Sequence, residues 1–431
     1  MNDLATQQHR PKVVVVGAGF AGLEAVRRLS GVEVDVLLLD RAPYNTFQPL
    51  LYQVATGGLN AGDITYGLRA FISKYDNALS QRANVNGLDT GRRRVYLDDG
   101  DQIEYDYLIV STGVIGNYFD IPGAAEYSMT IYTPGAALEV RDRVFANIEA
   151  VAQNHSGAVE PVIVIVGAGP TGVEMAGALA ELRNEALPRL YPEVDVERVR
   201  VVLVEMVQDV LGSFDARLRS YAAEQLRNRG VELRLGTAVK EVRPDSVVLD
   251  DGAVLPSAAT IWATGVEVPD EVATWGLPRG RGGRIQVEGD LLVVGHPDVF
   301  AVGDVAGNPE EALPQLAQPA IQAGRHAAIQ IRRLLADDPT EPFHYRNKGT
   351  MATIGRSDAV VQLPRGLKLK GTLAWVVWLA VHIVMLMSNR NRLSSLANLS
   401  IRYFSWPRSI NFIVGDSPNP TGTGVTSRGS L

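Results

Sequence analysis

Two segments, "KVVVVGAGFAGLEAVRRL" (12–29) and "PVIVIVGAGPTGVEMAGALAEL" (161–182), write one pattern twice: a β-branched run, a G-x-G-x-x-G turn, then helical spacing. Gly17, Gly19, Gly22 and Glu24 map onto Gly167, Gly169, Gly172 and Glu174 at a constant offset of 150. Short, wholly apolar runs of this kind read as strands of a parallel sheet buried on both faces. The glycines allow a tight turn, close approach of backbone to a pyrophosphate, and tight helix–strand packing, with the phosphates on amides at the helix N-terminus. One such turn is a weak signal; two in the same strand–turn–helix context are a strong one. Each unit also has a closing strand on a small Thr-Gly turn, "YDYLIVSTG" (105–113) and "AATIWATG" (258–265). The expectation is an α/β chain with two doubly wound, Rossmann-type dinucleotide-binding domains.

An acid ends the second strand pattern of each unit. Asp40 closes "EVDVLLLD", 18 residues after Gly22, and Glu205 closes "VRVVLVE", 33 residues after Gly172. A carboxylate there can accept hydrogen bonds from ribose hydroxyls and repels a 2′-phosphate, so Glu205 favours NADH over NADPH. The extra spacing in the second unit, "RNEALPRLYPEVDVER", reads as a lengthened helix and loop. A solvated acid at a strand end is the alternative for either residue.

Composition narrows the chemistry. The 431 residues include no cysteine and six scattered histidines, which excludes disulfide, thiolate and iron–sulfur chemistry and offers no metal-ligand spacing. From Arg365 onward there are eight basic residues (Arg365, Lys368, Lys370, Arg390, Arg392, Arg402, Arg408 and Arg428) against one acid, Asp416. That segment therefore carries +7 of a net −7, leaving −14 on the body. An acidic body argues against nucleic acid as a partner. Apolar residues interleave the cations of the tail, which suits an anionic lipid surface. The first ten residues are polar, with no apolar core of a secretory leader, so the body is expected in the cytoplasm.

"GTLAWVVWLAVHIVMLMS" (371–388) holds no Lys, Arg, Asp or Glu over 18 residues, about 27 Å as a helix against a hydrocarbon core of about 30 Å. Leu393, Leu396, Leu399, Tyr403 and Trp406 share one face of a second helical pattern, broken at Pro407 and flanked by arginines. The pair is expected to lie on a membrane surface rather than to span it. Beyond Gly415 the Ser, Pro, Thr and Gly content predicts disorder.

"VFAVGDVA" (299–306) resembles the second flavin motif of two-dinucleotide flavoproteins. The resemblance implies FAD in the first fold, its ribityl chain on Asp304, and NADH in the second; a helix N-cap is the plain alternative for Asp304. With "GAGFAGLE", "FQPLLYQVATG", "GAGPTGVEMAG", "WATG", "FAVGD", "AQPAIQ" and "GTMATIGR", the chain from about residue 12 to 406 resembles the type II, non-proton-pumping NADH:quinone oxidoreductases. AQ-x-A-x-Q is that family's quinone-site motif. The resemblance implies noncovalent FAD held by Gly17, Gly19, Phe20, Ala21, Gly22, Asp40, Arg41, Gln48, Thr112, Gly113, Gly303, Asp304 and Gln318. It implies NADH on Gly167, Gly169, Pro170, Thr171, Gly172, Glu174, Glu205, Thr264 and Gly265. It further implies a membrane quinone as acceptor, peripheral attachment to the cytoplasmic side of the inner membrane, and a homodimer. Glu174, Gln318 and Gln322 are the catalytic candidates, and no metal is expected.

Each candidate has a plainer reading. Glu174 is expected in the first turn of its helix, where the dipole alone favours a carboxylate; Glu24 holds the same place in the FAD repeat. Gln318 and Gln322, at i and i+4, share a helix face and can hydrogen-bond quinone carbonyls without bringing charge into an apolar site, or can be surface amides. Lys348 reads as a flavin-side cation or a solvated lysine, and His382 as facing headgroups or a hydrogen-bond partner.

The expected order is an FAD-binding domain in two parts (11–120 and 271–335) around an NADH-binding domain (121–270). A small strand segment (336–364), anchoring helices (365–415) and a disordered tail (416–431) follow. Two other readings keep both folds: a reductase of a protein electron carrier, which has no need of the apolar tail, and a non-catalytic NADH-responsive flavoprotein.

Overall fold

The computed structural model describes residues 10–153, 160–308 and 313–405. The first nine residues, Trp406, the break at Pro407 and the expected disordered tail lie outside the described residues, as does the side chain of Tyr403. Six helices position the side chains of interest: α1 (Phe20–Leu29), α2 (Leu51–Ala55), α3 (Pro170–Glu181), α4 (Ala317–Leu334), α5 (Gly371–Met385) and α6 (Asn389–Ser405). The chain forms two compact units, each discontinuous in sequence. One comprises residues 10–45, 66–115 and 266–348; the other comprises 46–65, 116–265 and 349–405. The return to the first unit thus runs beyond the expected 335. Residues 46–65, expected within the FAD-binding part, group with the second unit.

The first unit is built on a six-stranded sheet in the order Leu292–Val293, His296–Ala301, Tyr107–Val110, Lys12–Val16, Asp35–Asp40, Ala78–Arg82. All neighbours are parallel except the Leu292–Val293 edge. Val13, Val14 and Val15 are completely buried, which is why the central strand tolerates no polar residue. Each such side chain removed from water contributes roughly 1.5–3 kcal/mol. Helices α1 and α4 pack backbone to backbone: a Cβ on Gly324 would lie 2.0 Å from the Ala21 carbonyl oxygen.

The second unit repeats the plan with four parallel strands, Val231–Leu235, Arg200–Glu205, Val162–Val166 and Ala259–Trp262. One face of this sheet closes on a three-stranded antiparallel layer through Val162, Val164, Val202, Val242, Val247 and Trp262. The lengthened connection is a helix running on from α3 through a π-turn (Leu182–Ala186) into Leu187–Leu190 and a loop. Another antiparallel layer, Thr350–Gly355, Asp358–Gln362 and Lys368–Lys370, packs on α3, where a Cβ on Gly177 would meet the Ile354 carbonyl oxygen at 2.3 Å.

The apolar stretch folds as α5, 15 residues long and so about 22 Å, and the chain leaves the helix at Leu386. Among the described residues no helix is long and apolar enough to cross a membrane. Helix α5 buries Ala374 and Trp378 and turns Leu373, Val376 and Val384 outward. Helix α6 has its polar side inside. Asn391, Ser395 and Arg402 are buried, while Leu393, Leu396 and Ile401 are exposed. Leu399, expected on the same outer face as Leu393 and Leu396, is instead 1% exposed, because the inward stripe of this helix includes it.

Candidate dinucleotide sites and a buried carboxyl

The two glycine turns match atom for atom. Gly17 N–H donates to the Leu39 carbonyl and Gly167 N–H to that of Val204, both at 2.8 Å. Both glycines take left-handed φ, +102° and +100°, and a Cβ on Gly17 would lie 2.3 Å from the Ser111 carbonyl oxygen. Other residue types are therefore excluded at these positions. Gly22 and Gly172 let the helix sit against its own turn, since a Cβ there would fall 1.9 and 1.8 Å from the carbonyl oxygens of Gly17 and Gly167. Gly19 and Gly169 are different: a Cβ on either would meet no atom within 4 Å. That open space lies over the first turns of α1 and α3, whose N-terminal residues receive no side-chain cap. An uncapped helix start beside bare backbone is the cradle a pyrophosphate needs.

Asp40 and Glu205 also repeat each other. Ala18 N–H donates to Asp40 Oδ2 at 2.6 Å and Ala168 N–H to Glu205 Oε2 at 2.7 Å. The second oxygens accept from Ala42 and Val207. Each carboxylate is thus pinned beside its glycine turn, with lone pairs left for ribose hydroxyls. Neither is a loosely solvated strand-end acid.

In the first unit the buried polar atoms without a partner among the described residues include Thr112 Oγ1, Arg284 Nε and Gln318 Oε1, besides Tyr105 Oη and Trp275 Nε1. Where such atoms lie beside a cleft they are available to a ligand. Arg284, Gly303, Asp304 and Pro319 line one cleft. Burial pushes the Asp304 carboxyl up to about 6, partly offset by Arg284. Asp304 sits in a short turn (Gly303–Val305), while α4 starts at Ala317 after Leu316, so Asp304 does not cap that helix. Orphaned donors and acceptors, a bare glycine cradle and a buried acid together fit FAD. Of the remaining candidates, Phe20, Ala21 and Gly303 lie along α1 and the Asp304 turn, and a Cβ on Gly303 would touch Ala21 and Ala320. Gly113 faces open space, and Arg41 is exposed.

In the second unit Pro170 and Thr171 open α3, and Thr264 Oγ1 donates to the Asn117 carbonyl at 3.3 Å. A Cβ on Gly265 would strike Phe119 at 2.7 Å. Gln48, in residues 46–65, is exposed and reaches the Tyr132 carbonyl at 3.4 Å. Lys348 is exposed.

The two glutamines separate. Gln322 holds the Arg346 backbone at both ends, donating to its carbonyl and accepting from its N–H at 3.0 Å each. Its amide is already used in folding. Gln318 Oε1 is the acceptor left over.

Glu174 departs furthest from its repeat partner. Helix α3 begins at Pro170, so Glu174 is its fifth residue and lies past the first turn; the helix terminus does not explain it. Its Oε1 accepts from Thr353 N–H at 3.2 Å. No ion pair involving it is formed among the described residues. Burial pushes the carboxyl up to about 8, opposed by Thr353 N–H and the Trp378 indole. Glu24, by contrast, is met by Arg27, Arg28 and Arg325 at 2.9–3.1 Å. Beside Glu174's surroundings, on α5, the His382 ring stacks on Trp378 with centroids 4.1 Å apart, and its Nδ1 is 2.7 Å from the Trp378 carbonyl. His382 has found its hydrogen-bond partner inside the protein; burial pushes it down to about 4. Sequence reasoning passed over Trp378 and Arg284, neither of which belongs to a motif.

Residues 11–324 match the family described as pyridine nucleotide-disulphide oxidoreductase, and residues 347–405 match the NDH2 C-terminal domain. The chain is 35% identical to the type II NADH:quinone oxidoreductase Ndh of Mycobacterium tuberculosis, over 94% of this chain and 90% of that protein. The chain belongs to the type II NADH:quinone oxidoreductases. An internal alternative NAD(P)H-ubiquinone oxidoreductase of Arabidopsis thaliana mitochondria is 31% identical over 89% of this chain and 82% of its own length. The fold is shared with NDH2 of Plasmodium falciparum, solved with NADH: TM-score 0.86, 18% identity, 94% of this chain and all of that one. Type II family membership accords with the missing cysteines, since a disulfide reductase of the wider family needs a Cys pair.

Proposed function

We propose that this chain is a membrane-associated flavoenzyme that passes two electrons from NADH through FAD to a membrane quinone without pumping protons. Bound FAD would supply the two-electron chemistry that links NADH to the quinone. The protein's own part is to hold, orient and exclude. The first glycine turn and Asp40 receive the FAD pyrophosphate and ribose, Asp304 the ribityl chain, and Thr112 supplies an orphaned hydroxyl, while the Gln318 amide is left for the quinone side of the flavin. The second turn and Glu205 receive NADH and disfavour a 2′-phosphate. Glu174, neutral at pH 7 because burial disfavours its charge, can hold a proton at a carboxyl oxygen and give it up during turnover.

One observation carries the reading. The family match to both dinucleotide folds continues into a C-terminal domain whose two helices turn Leu373, Val376, Val384, Leu393, Leu396 and Ile401 outward beside Arg390 and Arg392. Exposed apolar residues flanked by cations suit the interface of an anionic bilayer, where a lipid-soluble acceptor is found. Attachment to the cytoplasmic side of the inner membrane, the homodimer and the absence of pumping are carried over from the family resemblance. The test is steady-state NADH oxidation by the detergent-solubilised holoenzyme with and without a short-chain quinone. Strong stimulation by quinone is expected. A rate indifferent to quinone but raised by a ferredoxin or rubredoxin would transfer the chain to the carrier-protein reductases.

A further inference from the structure

Trp378 stands on α5, the helix whose outer face is apolar, yet it is 1% exposed. Its ring packs edge-on to Tyr52 at 6.2 Å and stacks on His382 at 4.1 Å. A phenylalanine would satisfy both contacts. The indole adds a donor, and Nε1 has no fully formed hydrogen bond among the described residues. A buried N–H without an acceptor is costly, so its direction matters. The Glu174 carboxyl lies within its influence, and the indole dipole favours the ionised form of that acid. Glu174 is itself a buried acid with no ion pair among the described residues. The strand Thr350–Gly355 brings Thr353, whose N–H donates to Glu174 Oε1 at 3.2 Å, while on α5 Trp378 stacks on His382 and meets Tyr52 of α2 edge-on. Arg183, Glu185, Arg200, Glu205, Arg219 and Glu232 lie on other elements packed against α3, and Arg402 of α6 lies 3.6 Å from Glu181 on α3 itself. Among the described residues two N–H groups favour the charged state of Glu174, the Thr353 amide and this indole.

We infer that the Trp378 indole N–H is a positioning donor for the Glu174 carboxyl, so that the helix with the apolar outer face also sets how readily this acid releases its proton. The inference rests on the reading that Glu174 handles a proton in turnover. It gives α5 a second duty: the side facing away from lipid reaches the acid that the chemistry uses.

The experiment is stopped-flow reoxidation of the reduced holoenzyme by a short-chain quinone, across about pH 6 to 10. Glu174→Gln should abolish one limb of the wild-type profile. Trp378→Phe, with FAD content intact, should move that limb to higher pH by about half a unit to one unit, because a donor to the charged form is gone. In the Glu174→Gln background the same change should have no pH-dependent effect. An unmoved limb in Trp378→Phe overturns the inference and leaves the role of Glu174 standing. A limb that survives Glu174→Gln removes that role and the inference with it. Should Trp378→Phe lose FAD, indole-15N NMR decides on the native side chain. One of the five tryptophan N–H resonances should titrate with the limb and stop doing so in Glu174→Gln; if none titrates, the inference is wrong.

Discussion

Glu24 and Glu174 hold the same place in two copies of one pattern, and their surroundings make them different acids. Two of the three arginines on Glu24 are legible from spacing, at i+3 and i+4, but Arg325 arrives from 301 residues away. Around Glu174 no ion pair forms among the described residues, and nothing local in the sequence says so. The consequence is measurable. A carboxyl raised from 4.5 to about 8 on folding costs nothing below about pH 4.5, and its cost grows until the folded form ionises near pH 8. Glu174→Gln should therefore gain stability over the native enzyme as pH rises, by roughly 2–5 kcal/mol at about pH 9 and little at about pH 5. Thermal unfolding of the holoenzymes at both values tests this, and a gain independent of pH would contradict it. The glutamines make the same point about the limits of spacing. Both lie on one face of α4, but only contacts with Arg346 reveal which amide is spent. Gln318→Leu should slow flavin reoxidation by quinone about 2- to 12-fold, the worth of one neutral hydrogen bond, with reduction by NADH nearly unchanged. Gln322→Leu should instead lower stability by roughly 1–3 kcal/mol through its two bonds to Arg346. A selective loss of quinone reactivity in Gln322→Leu, and none in Gln318→Leu, would reverse this assignment.

At the scale of elements, the strands and glycine-turn helices were legible because each rests on a local rule: apolar runs for buried parallel strands, glycine where φ is positive. Helix α6 was legible as a helix but not in its orientation. Periodicity marks a stripe without saying which side faces the protein. Here the polar stripe does, because it has carbonyls and acids to satisfy. Asn391 Nδ2 donates to the carbonyls of Gly62, Asp63 and Thr65 at 2.7–3.1 Å, and Asn398 to Asp63 Oδ2 at 2.7 Å. Arg402 is hydrogen-bonded to Gln53 and lies 3.6 Å from Glu181, both partners buried. Asn391→Ala should lower stability by roughly 1–3 kcal/mol, the cost of carbonyls left unpaired. Arg402→Met should cost more, about 3–5 kcal/mol, by leaving Glu181 charged and buried. Adding Glu181→Gln should recover most of that loss. Urea unfolding of the three variants checks the cycle, and simple additivity of the two losses would show that Arg402 and Glu181 do not act as a pair.

At the scale of the whole chain, the offset of 150 announces two related folds, while the grouping of 46–65 with the second unit depends on long-range contacts that no motif encodes. That grouping changes what the C-terminal segment is. Read from composition, it is an added anchor that could be cut off cleanly. In the structure its inner side holds Gly62, Asp63 and Thr65 through Asn391, and Trp378 packs on Tyr52. Removing residues 365–431 should therefore both release the enzyme from membranes and loosen 46–65, seen as new sites of limited proteolysis in that segment. Substituting only the outer face separates the two effects. Leu373, Val376, Val384 and Leu393 are exposed, so replacing all four with serine sacrifices little folding energy. Each gives up an apolar side chain worth about 1.5–3 kcal/mol when buried in lipid, of which partial immersion realises a fraction. A combined loss of about 3 kcal/mol would weaken binding to anionic liposomes roughly 100-fold. The quadruple variant should thus keep its FAD and its protease resistance, yet fail to float with liposomes that carry the native enzyme upward. Unchanged flotation of a folded quadruple variant would mean that these helices do not form the membrane contact.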